Sequence, residues 1–220
     1  MEISQLVSIM VTGTIESLYM TLVSTALSYL FGIPLGVVLF ITDKDGIAEN
    51  KTVNSLLGVV VNLLRSVPFI ILLVAIIPFT RFVVGTSIGA NATIVPLVVA
   101  ATPFIARMVE SSLKEVDGGV IEAALSMGSN NWQIITKVLL PEAKPSLIVG
   151  STIAITTILG YSAMAGFVGG GGLGSIGINY GYYRYQTDIM LVTVVLLVIV
   201  VQIFQETGMK IASKTDKRKR

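Results

Sequence analysis

Residues 122–141, EAALSMGSNNWQIITKVLLP, are a polar, glycine-broken island, and the reading of the whole chain turns on them. Just upstream of Gly128, Val120, Ile121, Ala124 and Leu125 share one helical face, and glycine suits the left-handed residue that ends a helix. Asn130 or Asn131 can cap a second helix, which gathers Ile134, Ile135, Val138 and Leu139 on one side before Pro141 stops it. The expected product is a helix-turn-helix knuckle. Ala123 and Ala124 allow close approach to a partner, and Glu122 supplies one charge to fix orientation. A loop packed under its own helices fits the same pattern, and the pattern alone does not separate the two.

The surroundings of this island are those of a protein dissolved in lipid. The 220 residues are 53% hydrophobic and 13% charged, and the mean hydropathy is +0.84, too apolar for an ordinary soluble domain of this length. A membrane helix needs roughly 20 apolar residues to cross a hydrocarbon core of about 30 Å. Five segments come close, at about 16–42, 57–80, 91–108, 147–167 and 188–206. The third carries Pro96 and Pro103, so a tilted or kinked helix is expected there. Ile3, Leu6, Val7, Met10 and Val11 follow helical spacing, and residues 1–13 fit either an interfacial helix outside the membrane or an extension of the first span. The fold class expected is therefore all-α and polytopic, with one integral domain over 14–207, an excursion at 113–145 and a basic tail at 208–220.

Charge placement gives an orientation. Lys and Arg near helix ends stay on the cytoplasmic side. One set of alternating loops holds Lys44, Lys51, Arg107, Lys114, Lys137, Lys144 and the tail from Lys210 to Arg220, whereas the other holds only Arg81 and Arg184. The C-terminus is expected inside and the N-terminus outside the cell membrane, with the island in the cytoplasm. The terminal Lys217, Arg218, Lys219 and Arg220 read as a contact with anionic lipid headgroups rather than with nucleic acid.

No Cys or His is present, which removes thiol nucleophiles, imidazole metal sites and any Ser-His-Asp device. No catalytic or metal residues are assigned. Glu16, Glu110 and Glu206 lie near the ends of the expected helices, which weighs against a membrane enzyme. The chain has no G-x-x-x-x-G-K-[ST] phosphate cradle, and its glycine-rich run at Gly169–Gly177 carries no Lys. That run reads as a flexible turn, ahead of a ligand contact.

The spacing Glu122-Ala123-Ala124, Gly128, Val138, Leu140-Pro141 resembles the Glu-Ala-Ala loop of ABC importer permeases, with Val138 where the pattern usually has Ile. Arg65-Ser66-Val67-Pro68-Phe69, Gly85-Thr86-Ser87-Ile88-Gly89, Gly160–Gly166, Gly169–Gly174 and Tyr180–Tyr185 extend the likeness over nearly the whole chain, and together look like the permease of the methionine importers. The resemblance implies a type I permease fold and a homodimer. It also implies two copies of a separate ATPase that holds ATP and Mg, a lipid-anchored substrate-binding protein, and coupling through the seven residues just named. A permease for another small solute, such as an osmoprotectant or a methionine-containing peptide, is an alternative, and an ATP-independent channel or carrier a further one.

The fourth segment is the candidate pathway, because Thr156, Tyr161 and Ser162 add hydroxyls among small residues. Ser and Thr also bond their own helix backbone, so a lining role stays open. Met164 reads either as core or as an adaptable gate at the dimer axis. Arg65 lies within the second segment, where a mid-bilayer charge costs about 2.5–3.5 kcal/mol. Either residues 55–64 lie along the membrane surface and Arg65 snorkels at the true helix start, or Arg65 meets a substrate carboxylate. The tyrosines at 180, 182, 183 and 185 read as an interfacial belt or as a dock for a binding protein.

Overall fold

The computed structural model describes residues 3–215. The headgroup contact expected at Lys217, Arg218, Lys219 and Arg220 therefore lies outside the described residues. Every regular element among them is helical. Four helices are long and apolar enough to cross a membrane, and a bent pair makes a fifth if counted as one span.

Helix α1 (Ile3–Ile41) runs through Pro34 and shows no break near residue 13. The second expected span is in three pieces: α2 (Lys51–Ser66), α3 (Phe69–Ala75) and α4 (Ile77–Val84). Helices α2 and α3 meet at 100°. The cause is Pro68, which has no N–H to donate and pushes Val67 out of the helical region. Arg65 thus ends α2 and does not sit within a continuous span. Helix α5 (Ala90–Lys114) extends past both expected bounds and stays helical at Pro96 and Pro103. The knuckle follows as α6 (Gly118–Ser126), α7 (Asn131–Gln133), a π-helical turn (Ile134–Leu139) and α8 (Leu140–Glu142). Helix α9 (Lys144–Met164) passes into a 3-10 turn (Ala165–Val168), α10 (Gly172–Ile176), a second π-helical turn (Gly177–Tyr182) and finally α11 (Thr187–Thr215).

The chain divides into two compact units. One comprises Met1–Ser28, Val67–Ala101 and Ala154–Gln205. Its core gathers Met10, Leu173, Ile176 and Ile189, flanked by Leu6, Ile9 and Tyr180. The other comprises Tyr29–Ser66, Thr102–Ile153 and Glu206–Arg220. Here Leu39, Val61 and Ala106 pack together with Leu35 and Leu57, so the apolar face of α2 is buried on α1 and α5. Gly32 and Gly36, one turn apart on α1, let α5 come close: a Cβ on Gly36 would stand 2.7 Å from Val109 Cβ. Small residues at such a crossing are what helices packing in lipid need.

Candidate functional site

The knuckle is built by local hydrogen bonding. Asp117 caps α6, accepting from the Gly119 N–H at 2.7 Å. At the other end Gly128 is left-handed, with φ +77°. There the Gly128 N–H donates to Leu125 O at 2.9 Å and the Ser129 N–H to Ala124 O at 3.1 Å. These two bonds form a Schellman terminus, which satisfies carbonyls that the ended helix leaves open. Asn130, of the two asparagines considered, is the cap of α7. Its side chain accepts from the Gln133 N–H at 2.9 Å while Gln133 Oε1 accepts from the Asn130 N–H at 3.0 Å.

Beyond Gln133 the expected α-helix is a π turn, in which the Leu140 N–H donates to Ile135 O. The ring of Pro141 would press on the Lys137 carbonyl in an α-helix and has no N–H to offer it, and the wider turn relieves the clash. Ile134, Ile135 and Leu139 are buried, Val138 and Leu140 are half-buried, and Pro141 is exposed.

The outer side of this knuckle is unexpectedly apolar. Ala124 is only 3% exposed, but Met127 is 79% and Trp132 72% exposed, with Val120 and Leu125 also open. Glu122 and Ala123 stand exposed beside them. A rigid polar segment that presents a cluster of large apolar side chains at its tip has the character of an interaction surface.

The structure does not bring the pathway candidates together on one face. Gly160, Met164 and Phe167 form an exposed strip at helical spacing, with Thr157 half-buried on the same side. Met164 is 47% exposed, so it is not core within this chain. Thr156 and Tyr161 are half-buried on the flank. Tyr161 stacks on Phe69, with ring centroids 4.5 Å apart and planes within 5°. Ser162 lies on the opposite face of α9, buried, and donates to Leu159 O at 2.8 Å. Arg65 is exposed at the end of α2. A cleft of about 370 Å³ lies among Ser112, Glu115, Glu142, Ser146 and Met209, and none of these candidates lines it. In the tyrosine run, the Arg184 guanidinium lies 4.4 Å from the Tyr180 ring centroid.

The glycine-rich run is the turn expected, with left-handed backbone at Gly169, Gly171 and Gly172, and it is braced by hydrogen bonds. Its amides are held by side chains of α1: the Gly172 N–H donates to Glu16 Oε2 at 2.7 Å and the Leu173 N–H to Ser17 Oγ at 2.9 Å. Thr93 Oγ1 donates to Gly170 O at 3.0 Å, and the Gly89 N–H to Gly169 O at 2.9 Å. Gly166 and Gly174 meet backbone to backbone, where a Cβ on Gly174 would overlap the Ala163 carbonyl. Sequence reasoning missed Glu16 and Ser17. The available signal was a carboxylate–hydroxyl pair inside an apolar helix, which needs a polar partner.

A charged cluster on α5 was also missed. Glu110, 6% exposed, accepts from Arg107 Nη1 at 2.6 Å and pairs with Lys114 Nζ at 2.9 Å. Lys114 also reaches Asp43 at 2.8 Å. Arg107 Nη2 donates to Asn62 Oδ1 at 3.0 Å and to Gly58 O at 3.3 Å. The Lys114 ammonium, hydrogen-bonded to Asp43, holds the Asp43 carboxyl below its ordinary value, and the Lys44 N–H adds to this. The spacing of Arg107, Glu110 and Lys114, three and four residues apart on one helix, was the available signal.

Known proteins resemble this chain in sequence and in fold. Residues 28–207 match the family described as binding-protein-dependent transport system inner membrane component. The chain is 52% identical to a probable D-methionine transport system permease protein of Vibrio cholerae over 96% of this chain and 93% of that one. It is 46% identical to the methionine import system permease protein of Bacillus subtilis over 94% and 93%. A solved structure of the inward-facing MetNI methionine ABC transporter superposes with a TM-score of 0.96 at 48% identity, covering 99% of this chain and 100% of that one. An amino acid ABC transporter at 17% identity and a TM-score of 0.73 shares the fold. The chain is a multi-helix membrane protein of the binding-protein-dependent transport system inner membrane component family.

Proposed function

We propose that this chain is the permease subunit of an ATP-driven methionine importer and that its Glu122–Pro141 knuckle docks on a separate ATPase. The observation that carries the docking is the exposed tip of Leu125, Met127 and Trp132 on a turn fixed by two helix caps. Apolar side chains held open on a rigid polar knuckle gain free energy by entering a partner groove, about 25 cal/mol for each Å² of apolar surface removed from water. The solute is inferred from the relatives, whose names state methionine or D-methionine transport.

In this reading the knuckle faces the cytoplasm, with the C-terminus inside and the N-terminus outside. Two copies of the chain enclose the pathway, each above one ATPase subunit, and a lipid-anchored binding protein delivers solute from outside. ATP and Mg are held by the ATPase, and this chain performs no covalent chemistry. Closure of the ATPase pair moves Glu122, Ala123 and Ala124 as one rigid piece with Gly128. Val138, Leu140 and Pro141 pass the movement into α9 and the 3-10 turn after it, whose strip of Gly160, Met164 and Phe167, flanked by Thr156 and Tyr161, lines the route. Ser162 fixes that helix from its buried side, and Arg65 marks where α2 turns into the membrane.

Gly128→Pro tests the coupling. Proline holds φ near −65° and has no N–H, so it cannot adopt the left-handed geometry or donate to Leu125 O. The variant is expected to reach the membrane and dimerise normally while solute uptake per ATP hydrolysed collapses. Normal uptake per ATP would contradict the docking role.

A further inference from the structure

We propose that the loop of residues 42–50 is a strut between the knuckle and helices α1 and α2, with Asp43 and Lys114 as its positioning pair. This rests on the coupling role given to the knuckle above. The end of α5 that leads into the knuckle and the second limb of the knuckle both touch this one loop. On the first side, Lys114 ends α5 three residues before the cap Asp117, and its ammonium meets Asp43 at 2.8 Å. On the second, Asn131 at the start of α7 donates from Nδ2 to Ile47 O at 3.4 Å.

A slack loop would absorb movement, and this one is not slack. The Gly46 N–H donates to Asp43 O, the Ala48 N–H to Ile41 O and the Asn50 N–H to Thr42 O, each at 3.0 Å. Asn54 Nδ2 donates back to Leu39 O at 2.7 Å, which fastens the beginning of α2 to the end of α1. Asn50 Oδ1 accepts from the Val53 N–H at 3.1 Å, capping α2 where the loop ends.

The charges beyond the loop complete the linkage. Glu110 joins Lys114 to Arg107, and Arg107 grips α2 at Asn62 and Gly58. The two ends of this chain of charges differ in strength. The Asp43–Lys114 pair is well exposed, with side chains 38% and 49% accessible. An exposed pair of this kind is weak enough to open and remake in every transport cycle. Arg107–Glu110 has a buried carboxylate, and removing one partner from a buried pair costs several-fold more. The pair with the buried carboxylate therefore acts as a fixed pivot and the exposed pair as the joint that yields.

The test uses the full complex of this chain with its ATPase and binding protein in proteoliposomes, reading uptake of labelled methionine per ATP hydrolysed. Asp43→Ala is expected to lower that ratio about 1.4- to fivefold, the range that an exposed ion pair can account for. Asp43→Glu is expected to restore it, and Asp43→Ala with Asn131→Ala, which cuts both ties, to fall below either single variant. If Asp43→Ala does not assemble, Asp43→Asn keeps the shape and carries the same expectation. A wild-type ratio in assembled Asp43→Ala or Asp43→Asn complexes overturns the strut, even if their yield is low. Gly128→Pro separates the two readings: if it uncouples transport while the Asp43 variants do not, the strut alone fails. If Gly128→Pro is also normal, the knuckle reading fails with it.

Discussion

At Gly174 the chain has no room for a single methyl group, and at Gly160 it has room to spare. A Cβ on Gly174 would run into the carbonyl oxygen and Cα of Ala163, atoms of the backbone that cannot rotate away. Overpacking of this kind costs about 1–3 kcal/mol or more. A Cβ on Gly160 would meet nothing within 4 Å, and replacing a mid-helix glycine by alanine removes a cost of about 1 kcal/mol. Gly174→Ala is expected to lower the thermal unfolding midpoint of the purified chain, and Gly160→Ala to leave it unchanged or raise it. Because Gly160 lies in the exposed strip with Met164, any transport defect in that stable variant would report on the strip itself. Trp132 shows what a residue can conceal: its place in a polar island was plain in the sequence, but its exposure was not, because exposure depends on which side of a three-residue helix faces the rest of the protein.

Among elements, the short helix α10 depends on a distant carboxylate. Glu16 Oε2 accepts from the buried Gly172 N–H across 156 residues of sequence. A buried donor left without a partner costs about 1–3 kcal/mol, so Glu16→Ala is expected to lose roughly that in stability and Glu16→Gln, which keeps an acceptor, less. Hydrogen exchange at Gly172 and Leu173 checks it: faster exchange should appear in the alanine variant.

The Asp43–Lys114 joint gives a pH dependence of definite sign. Asp43 titrates lower in the folded protein than the ordinary 3.8 because of Lys114. Its contribution is therefore complete above that ordinary value and is lost as pH falls through the lower folded one. Asp43→Asn should remove this part of the acid limb, seen as a smaller drop in unfolding midpoint on acidification than in the parent chain.

The knuckle was legible in the sequence for a physical reason. The caps read there, Gly128 and Asn130, act on residues within five positions of themselves, as does Asp117, which was not read. The bracing of the glycine run and the tie from Lys114 to Asp43 were not legible, since both join residues far apart in sequence. The α2–α3 bend lies between these cases. Arg65 inside the apolar run already raised a surface helix over 55–64 as one option, while the apolar residues on either side of Pro68 let the stretch also read as one span.

For the whole molecule, an all-helical membrane protein followed from composition and the lengths of the apolar segments, and the five segments correspond to four long helices and the bent α2–α3 pair. The assembly is a proposal that the chain itself makes easy to probe, since it contains no cysteine. Two introduced thiols bridge only when their Cα atoms come within about 7 Å. If Met164 sits at the axis of a homodimer, Met164→Cys should give a disulfide-linked dimer on mild oxidation in the membrane, while the buried Ser162→Cys should not. A monomer band in both would remove Met164 from that axis.

The most direct measurement of the central claim is uptake of labelled methionine into proteoliposomes that hold this chain with or without its ATPase subunit. Methionine is expected to accumulate only when the ATPase, ATP and the binding protein are all present. Accumulation with this chain alone, or none with the complete complex, would contradict an ATP-driven methionine importer.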